Sequence, residues 1–366
     1  MREIHYLLAP HNTLIVRGPA SVRLLSGKAR VLGAPLEKNR RLIIRHEKQL
    51  PLESLSEVNL EILVNESGEL FEVEGSTVPE TWSLAVEALR EVRKGVVVVV
   101  GGTGVGKSSL CTYVANELLT NGFVVRMIDA DVGQADIGPP ATISSAVVSV
   151  HFTTLVDLEA EKLIFVGHVA PNRVQSKLIS GIKRLIEADY EKKFLTIINT
   201  DGWVQGSDAI FYKMNLISSI DPDLVIGIST NSELQTMLSL PKCRSMIVHC
   251  AGETLERSRS DRRAIRQSSY RRYLEGGSPR KIQLSTIRIR KPAELPQLQQ
   301  PLNNELKNLL VGLSDVDGYL SQIGVLTNAC NDSLHVFSRP VRYLRCVEFG
   351  YVKLLTDGTE LGFVDN

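Results

Sequence analysis

The 366-residue sequence is poor in cysteine and tryptophan and has no long apolar run. Its five cysteines are scattered without Cys-x-x-Cys spacing, which argues against a zinc site or a disulfide framework and predicts buried thiols. Apolar runs such as Val96 to Val100 are far shorter than the roughly 20 residues that span a bilayer. Residues 1–4 show no signal-peptide pattern. These absences predict a globular cytoplasmic protein with no membrane partner.

Hydrophobic patterning divides the chain into three regions. Residues 1–78 hold short alternating apolar and polar pieces separated by Gly and Pro, which predicts an N-terminal β-sandwich domain. Residues 79–280 alternate apolar strands with helical stretches, which predicts an α/β domain with a mostly parallel sheet. Residues 281–366 return to short strands, with a hairpin around Asp357-Gly358, and predict a small β-rich domain. Ligand sites of parallel sheets gather at the carboxyl ends of the strands.

A glycine-rich segment follows the apolar run that ends at residue 100. It consists of Gly101, Gly102, Thr103, Gly104, Val105, Gly106, Lys107, Ser108 and Ser109. The preceding strand and the following helical pattern complete the context of a P-loop. In such a loop, backbone N–H groups bind phosphates, the lysine at 107 reaches the β and γ oxygens, and the serine at 108 is placed for Mg²⁺. The segment therefore predicts binding of a nucleoside triphosphate.

Two carboxylates, Asp129 and Asp131, follow the strand predicted at residues 123–128. Phosphoryl transfer needs a group that orients the attacking hydroxyl and accepts its proton, and a metal ion that neutralises charge on the phosphoryl group. We assign Asp131 to the acceptor hydroxyl and Asp129 to the metal. The alternative for Asp129 is a turn cap, a role that aspartate serves well.

A second predicted strand end carries Thr200, Gly202 and Trp203, and Trp203 is one of only two tryptophans. Its ring could pack into the core, or its flat face could stack on a nucleobase. The other tryptophan, Trp82, lies on the apolar stripe of a predicted helix, where packing is the simpler role.

The net charge of +1 hides a basic segment. Its arginines are Arg257, Arg259, Arg262, Arg263, Arg266, Arg271 and Arg272. A charge run usually forms a solvated helix face. Beside a phosphate site, however, an arginine over the γ-phosphate can contribute roughly 10³ to 10⁵ in rate. The segment therefore predicts a mobile lid helix over the P-loop.

Taken in sequence order, these motifs resemble the Clp1/Grc3 family of polynucleotide 5′-hydroxyl kinases, particularly its archaeal members, over nearly the whole chain. The family combines a P-loop with an Asp-x-Gly-Gln element like residues 131–134, a Thr-x-Gly-Trp clasp like residues 200–203, and an arginine lid like residues 257–262. Four motifs in this order are more specific than a P-loop alone.

The resemblance implies transfer of the γ-phosphate of ATP, with Mg²⁺, to the 5′-OH end of RNA, or of single- or double-stranded DNA, in RNA processing alongside other proteins. Lys107 and Ser108 would hold ATP and Mg²⁺, and Asp131 would activate the 5′-OH. Arg257 and Arg262 would close the lid. The implied acceptor contacts are Gln134, Thr200, Gly202 and Trp203.

Two other functions share part of this pattern. An ATP-bound scaffold subunit of an RNA-processing complex would have lost catalysis, yet Lys107, Asp131 and Trp203 are all present. A regulatory GTPase would share the P-loop, but residues 131–134 lack the Asp-x-x-Gly spacing of a switch segment.

Overall fold

The computed structural model describes residues 1–366 with the exception of 47, 93, 189–193, 229–232, 240–243, 253–256, 296–305, 331 and 365–366. Strands and helices are numbered in chain order. Within these residues, four sheets and the helices around them form three regions along the chain.

The N-terminal region consists of two antiparallel sheets, with strand orders β1-β8-β3-β6 and β5-β4-β7-β2-β9. The strands are β1 Arg2–Leu8, β2 Thr13–Arg17, β3 Ala20–Ser26, β4 Ala29–Val31, β5 Ala34–Pro35, β6 Arg41–Ile44, β7 Gln49–Ser54, β8 Val58–Val64 and β9 Glu69–Val73. Alternate residues of β7 are buried, as expected for a strand with one face on a core. One apolar cluster contains residues of both sheets, which confirms the β-rich N-terminal region.

The central region is built on a seven-stranded sheet of order β13-β12-β11-β14-β10-β15-β16. Its elements are α1 Glu80–Val92, β10 Gly95–Gly101, α2 Lys107–Thr120, β11 Val125–Ala130, β12 Thr142–Val148, β13 Lys162–Phe165, α3 Gln175–Glu187, β14 Leu195–Thr200, α4 Ser207–Ile220, β15 Leu224–Ile228, α5 Glu233–Leu238, β16 Ser245–Val248 and α6 Arg259–Leu274. β10, β11, β14, β15 and β16 pair in parallel. The mostly parallel sheet is therefore confirmed.

The sheet is covered by helices on both faces, as the continuous apolar run of β10 requires. Val97 and Val99 pack with residues of α1 and α2. Val98 and Val100 pack with residues of α3 and α4. β12 was not predicted, because buried polar residues such as Thr142 interrupt its apolar pattern.

The C-terminal region is a third sheet system, of order β17-β21-β20-β19-β22-β18, with β23 beside β22. The strands are β17 Ser278–Gln283, β18 Arg288–Arg290, β19 Leu309–Ser314, β20 Leu320–Cys330, β21 Ser333–Ser338, β22 Cys346–Leu354 and β23 Glu360–Phe363. β22 and β23 form the predicted hairpin. The predicted division at residue 280 falls inside β17, which pairs with β21, so we propose a division before Ser278.

The predicted thiol environments hold only in part. Cys111 and Cys346 are buried, Cys250 and Cys330 are partly buried, and all four are free thiols. Cys243 lies outside the described residues. Across the described part of the chain, no helix is long and apolar enough to cross a membrane. The cytoplasmic location stays a prediction.

An ion pair fixes α6 on the C-terminal sheet. Nε and Nη2 of Arg266 donate to the two carboxylate oxygens of Glu360, each at 3.0 Å. The Glu360 side chain is 2% exposed and that of Arg266 15%. Tyr270 and Leu274 of the same helix are buried. The body of α6 is therefore packed against the protein rather than solvated.

We expect Glu360→Ala to lower the free energy of unfolding by about 3 kcal/mol, because it leaves the mostly buried Arg266 guanidinium without its partner. Chemical denaturation would measure the loss. Glu69→Ala, which removes the exposed pair with Arg17, is the control and should cost less than about 1 kcal/mol. Equal losses for the two variants would contradict the prediction.

Candidate active site

The P-loop joins β10 to α2 in a tight left-handed turn. Gly104 and Gly106 have φ angles of 80° and 96°, a region that residues with a Cβ rarely adopt. Lys107 begins α2, and its Nζ donates back to the carbonyls of Gly101 at 3.0 Å and Gly102 at 2.7 Å. Burial lowers the pKa of Lys107. The loop thus holds a desolvated cation whose present partners are two neutral carbonyls.

A cleft of about 480 Å³ lies over this loop, and we call it the P-loop cleft. Residues 103–109 line one side, and Lys48, Leu50 and Trp82 are among the residues that line the other sides. Lys48 reaches across from the N-terminal region, with Nζ 2.6 Å from Asp136 Oδ1. Two regions of the chain therefore build this cleft together.

Asp129 caps the turn that follows β11. Its Oδ2 accepts hydrogen bonds from the N–H groups of Asp136 at 2.7 Å and Ile137 at 3.1 Å. Oδ1 accepts from Asn199 Nδ2 at 3.1 Å, and the same nitrogen lies 3.4 Å from Ser108 Oγ. Burial, with the nearby carboxylates of residues 136 and 131, raises the pKa of Asp129 to about 7. Asp129 therefore reaches the P-loop serine only through Asn199.

Asp131 stands on that same turn, where its Oδ1 accepts from the N–H groups of Gly133 at 3.2 Å and Gln134 at 3.0 Å. Burial raises the pKa of Asp131, and the charge of Lys107 opposes the rise. Gln134 in turn donates from Nε2 to the carbonyl of Arg262 at 3.3 Å. This bond ties the Asp131 turn to the first turn of α6.

A second cleft, of about 590 Å³, contains Trp203 in its lining, and we call it the tryptophan cleft. The Trp203 ring stacks on the ring of Tyr212, with centroids 5.7 Å apart and planes inclined by 23°. Residues shared by the linings of both clefts include Asp131, Gln134 and Arg262. The two clefts therefore meet at the Asp131 turn.

The loop that carries Trp203 packs tightly on the P-loop. A Cβ on Gly202 would lie 2.5 Å from Thr103 Oγ1 and 2.8 Å from the Thr103 backbone, so only glycine fits there. Thr200 is 1% exposed and its hydroxyl donates to the carbonyl of Val99 at 2.8 Å. Thr200 thus joins β14 to β10 and lies outside both linings, and its predicted contact with the acceptor stays a prediction.

Beneath Trp203 lies a buried polar cluster that sequence reasoning missed. Asp201 Oδ1 accepts from the N–H of Trp203 at 3.0 Å, and Oδ2 accepts from the hydroxyl of Tyr212 at 2.9 Å. Lys213 Nζ lies 3.0 Å from the same Oδ2. The available signal was a lysine within the apolar stripe of α4, between Ala209 and Leu216.

The arginine segment divides into two parts. Arg257 and Arg262 line the P-loop cleft. Arg263 and Arg266 donate to the backbone and side chain of Glu360, and Arg271 donates to the carbonyl of residue 357. Arg266 also lines the tryptophan cleft. Arg257 and the first turn of α6 therefore fit the predicted lid best, because the C-terminal sheet holds the rest of the helix.

The predicted site residues thus gather at one edge of the central sheet, and all but three of them line one of the two clefts. Gly101, Asp129 and Thr200 line neither cleft as the described residues define them. Gly101 accepts a hydrogen bond from Lys107, and Asp129 accepts one from the N–H of Asp131, so both support residues that line a cleft. Thr200 instead joins β14 to β10. The individual roles stay predictions.

Comparison with known proteins gives three findings. Residues 101–276 match the family model described as mRNA cleavage and polyadenylation factor CLP1 P-loop. A polyribonucleotide 5′-hydroxyl-kinase of Pyrococcus abyssi is 29% identical over 341 residues, which cover 79% of this chain and 96% of the relative. The corresponding kinase of Methanocaldococcus jannaschii is 26% identical over 344 residues, 79% of this chain and 95% of the relative.

Among solved structures, a wild-type Clp1p–Pcf11p complex contains a similar chain, with a TM-score of 0.75 and 13% sequence identity. The match covers 96% of this chain and 98% of that one. At this identity the likeness concerns the fold, and it extends over all three regions.

Proposed function

Because residues 101–276 match the Clp1 P-loop family model, we propose that this chain is an ATP-dependent kinase that phosphorylates the 5′-hydroxyl ends of RNA. The relatives named polyribonucleotide 5′-hydroxyl-kinase support the reaction class. The observation that carries the proposal is the junction of the two clefts. Lys107 stands in the P-loop cleft, Trp203 in the tryptophan cleft, and Asp131 in both.

The residues of the P-loop cleft fit a nucleoside triphosphate. Lys107 is a buried cation that a phosphate would satisfy better than two carbonyls do, since charge-assisted hydrogen bonds are the stronger kind. The first turn of α2 and the glycine backbone supply N–H groups for anions. Ser109 and Val105 complete that wall.

The same edge fits a divalent cation. The Oδ1 atom of Asn199 is buried and finds no hydrogen-bond partner among the described residues, and it belongs to the side chain that bridges Ser108 and Asp129. Oxygen donors of this kind suit Mg²⁺. Mg²⁺ bound there would neutralise charge on the phosphoryl group. Ser108 and Asn199 would hold it directly, and Asp129 would orient Asn199.

In the tryptophan cleft, Asp131 is the group we assign to the 5′-hydroxyl. Its Oδ1 is occupied by two backbone N–H groups, which fixes the carboxylate and leaves Oδ2 for the acceptor. A proton accepted there would leave the attacking oxygen free to bond to the γ-phosphorus, while the bond from that phosphorus to the β–γ bridging oxygen breaks and ADP leaves. Arg262, which lines both clefts, would stabilise charge on the transferred group, with Arg257 beside it.

The acceptor class follows from the chemistry of the cleft. An aromatic platform and arginines bind a stacked base and backbone phosphates, and these contacts carry little base information. We therefore propose 5′-OH RNA, and DNA ends of the same form, as acceptors. Because a similar chain occurs in a complex with Pcf11p, we also propose that this protein assembles with RNA-processing proteins.

The test is transfer of label from γ-³²P-ATP to 5′-OH oligonucleotides of RNA and DNA with matched sequence. We expect labelled RNA with the wild-type protein and no label on the same oligonucleotide carrying a 5′-phosphate. The ratio of label on the DNA oligonucleotide to label on the RNA oligonucleotide measures the preference for ribose or deoxyribose. Folded protein that binds ATP but labels neither oligonucleotide would contradict the kinase and favour the scaffold alternative.

We expect Trp203→Ala to raise the KM for the oligonucleotide about 5- to 150-fold while the KM for ATP changes little, because stacking on an aromatic ring is worth about 1–3 kcal/mol per base. Initial rates of label transfer at varied oligonucleotide and varied ATP would separate the two. Phe211→Ala, on the exposed side of α4, is the matched aromatic control and should change neither. If Trp203→Ala changed the KM for ATP and left the KM for the oligonucleotide unchanged, the assignment of Trp203 to the acceptor would be wrong.

A further inference from the structure

Lys213 is a lysine in the core. It belongs to the buried stripe of α4, whose other members are Ala209, Tyr212, Leu216 and Ile217, and its side chain is 0% exposed. A buried ammonium costs much free energy unless it is paired and hydrogen-bonded. A Leu or Met would fill the same space at lower cost, so the lysine needs a further explanation.

The contacts of Lys213 all lead to the loop that carries Trp203. Its Nζ lies 3.0 Å from Asp201 Oδ2 and donates to the Asp201 carbonyl at 2.9 Å. The other carboxylate oxygen of Asp201 accepts the N–H of Trp203 at 3.0 Å. The hydroxyl of Tyr212 donates to Oδ2 at 2.9 Å, and the ring of Tyr212 is the one on which Trp203 stacks. One ammonium therefore fixes both the backbone before Trp203 and the platform beneath its ring.

We propose that Lys213 is a positioning residue that holds Trp203 in the orientation that receives the 5′-terminal base. The inference rests on the proposed function. A ring whose backbone N–H and lower face are already fixed loses little conformational freedom when a base stacks on it, so the binding free energy of the base is retained. Lys213 thus acts on acceptor affinity through Asp201 and Trp203, without touching the acceptor.

A purely electrostatic role at Asp131 is the main competing explanation. The charges of Lys213 and Asp201 shift the pKa of Asp131 in opposite directions, and Lys213 is the weaker of the two. Lys107 is the cation that opposes the raised pKa of Asp131 most strongly. Geometry therefore favours an effect of Lys213 on the loop over an effect on the charge of Asp131.

The experiment is a double-mutant cycle between Lys213→Met and Trp203→Ala, measured by label transfer. We expect Lys213→Met alone to raise the KM for the oligonucleotide by up to about 150-fold, the upper end of the range for loss of a stacked base, with the KM for ATP within about twofold. In the Trp203→Ala background the same change should have no further effect on the acceptor KM, since contacts in one pathway are not additive. Lys183→Met on the exposed side of α3 is the matched control.

Two further variants keep the test valid if the buried carboxylate of Asp201 prevents Lys213→Met from folding. The double variant Lys213→Met with Asp201→Asn removes both charges together. Tyr212→Phe removes one hydrogen bond to Asp201 and keeps the ring, and it should raise the acceptor KM about 2- to 10-fold. Both should increase acrylamide quenching of tryptophan fluorescence without any substrate, because Trp82 is fully buried and the change reports Trp203.

The outcomes separate the two proposals. If the wild-type protein labels no oligonucleotide, the kinase proposal fails whatever the variants do. If the wild type is active, a fall in kcat with an unchanged acceptor KM assigns Lys213 to the charge of Asp131 and overturns the inference. Equal effects of Lys213→Met with and without Trp203 also overturn it, as does unchanged quenching in the folded variants.

Discussion

Replacing Lys107 with alanine is expected to lower label transfer at least about 10³-fold, because the change removes the cation that we assign to the transferred phosphoryl group in a site shielded from water. Burial lowers the pKa of Lys107, because the charged ammonium is poorly solvated there. A bound anion would stabilise the charged form. Bound triphosphate supplies that anion. Initial rates at saturating ATP and oligonucleotide would measure the loss.

The Lys107→Ala result needs a separate measurement of ATP binding. The variant loses two hydrogen bonds to the carbonyls of Gly101 and Gly102, so its loop has to be shown intact by thermal unfolding. Lys183→Ala, an exposed lysine on α3, should transfer label at the wild-type rate. A rate of label transfer by Lys107→Ala within tenfold of the wild-type rate would contradict a role of the P-loop lysine in the reaction.

How far the sequence predicts this site depends on how local each feature is. The P-loop follows from a strand, a glycine spacing and a helix that are continuous in the chain, and the positive φ angles of Gly104 and Gly106 are where the spacing puts them. Asp131 and Trp203 could be singled out because each lies within three residues of the end of a parallel strand. Features of this kind need no knowledge of distant contacts.

The features that sequence reasoning missed depend on residues far apart. β12 was missed because hydroxyl residues such as Ser144 interrupt its apolar pattern, and its place between β11 and β13 is set by pairing in the folded sheet. The arginines that anchor α6 could not be recognised without Glu360, about a hundred positions later in the chain. Lys48 joins the P-loop cleft from another region altogether.

Asp131→Asn is expected to lower transfer about 10²- to 10⁴-fold while ATP binding is retained, the range for loss of a positioned proton acceptor. The amide keeps the size of the side chain, and its oxygen can still accept the N–H groups of Gly133 and Gln134. The turn should therefore persist. What the variant loses is a basic oxygen for the proton of the 5′-hydroxyl.

The pH dependence of label transfer is a second test of Asp131 as the proton acceptor. Burial raises the pKa of Asp131, so the carboxylate is protonated at pH values where an exposed aspartate is ionised. Transfer by the wild type should therefore fall as the pH is lowered through this raised pKa, whereas the small residual rate of Asp131→Asn should not follow that titration. Asp208→Asn, an exposed acid in the first turn of α4, should keep the wild-type profile. If Asp131→Asn kept the pH dependence of the wild type, the proton transfer would belong to another group at the junction of the clefts. The carboxylate of Asp131 would then serve only to orient the turn that carries Gln134.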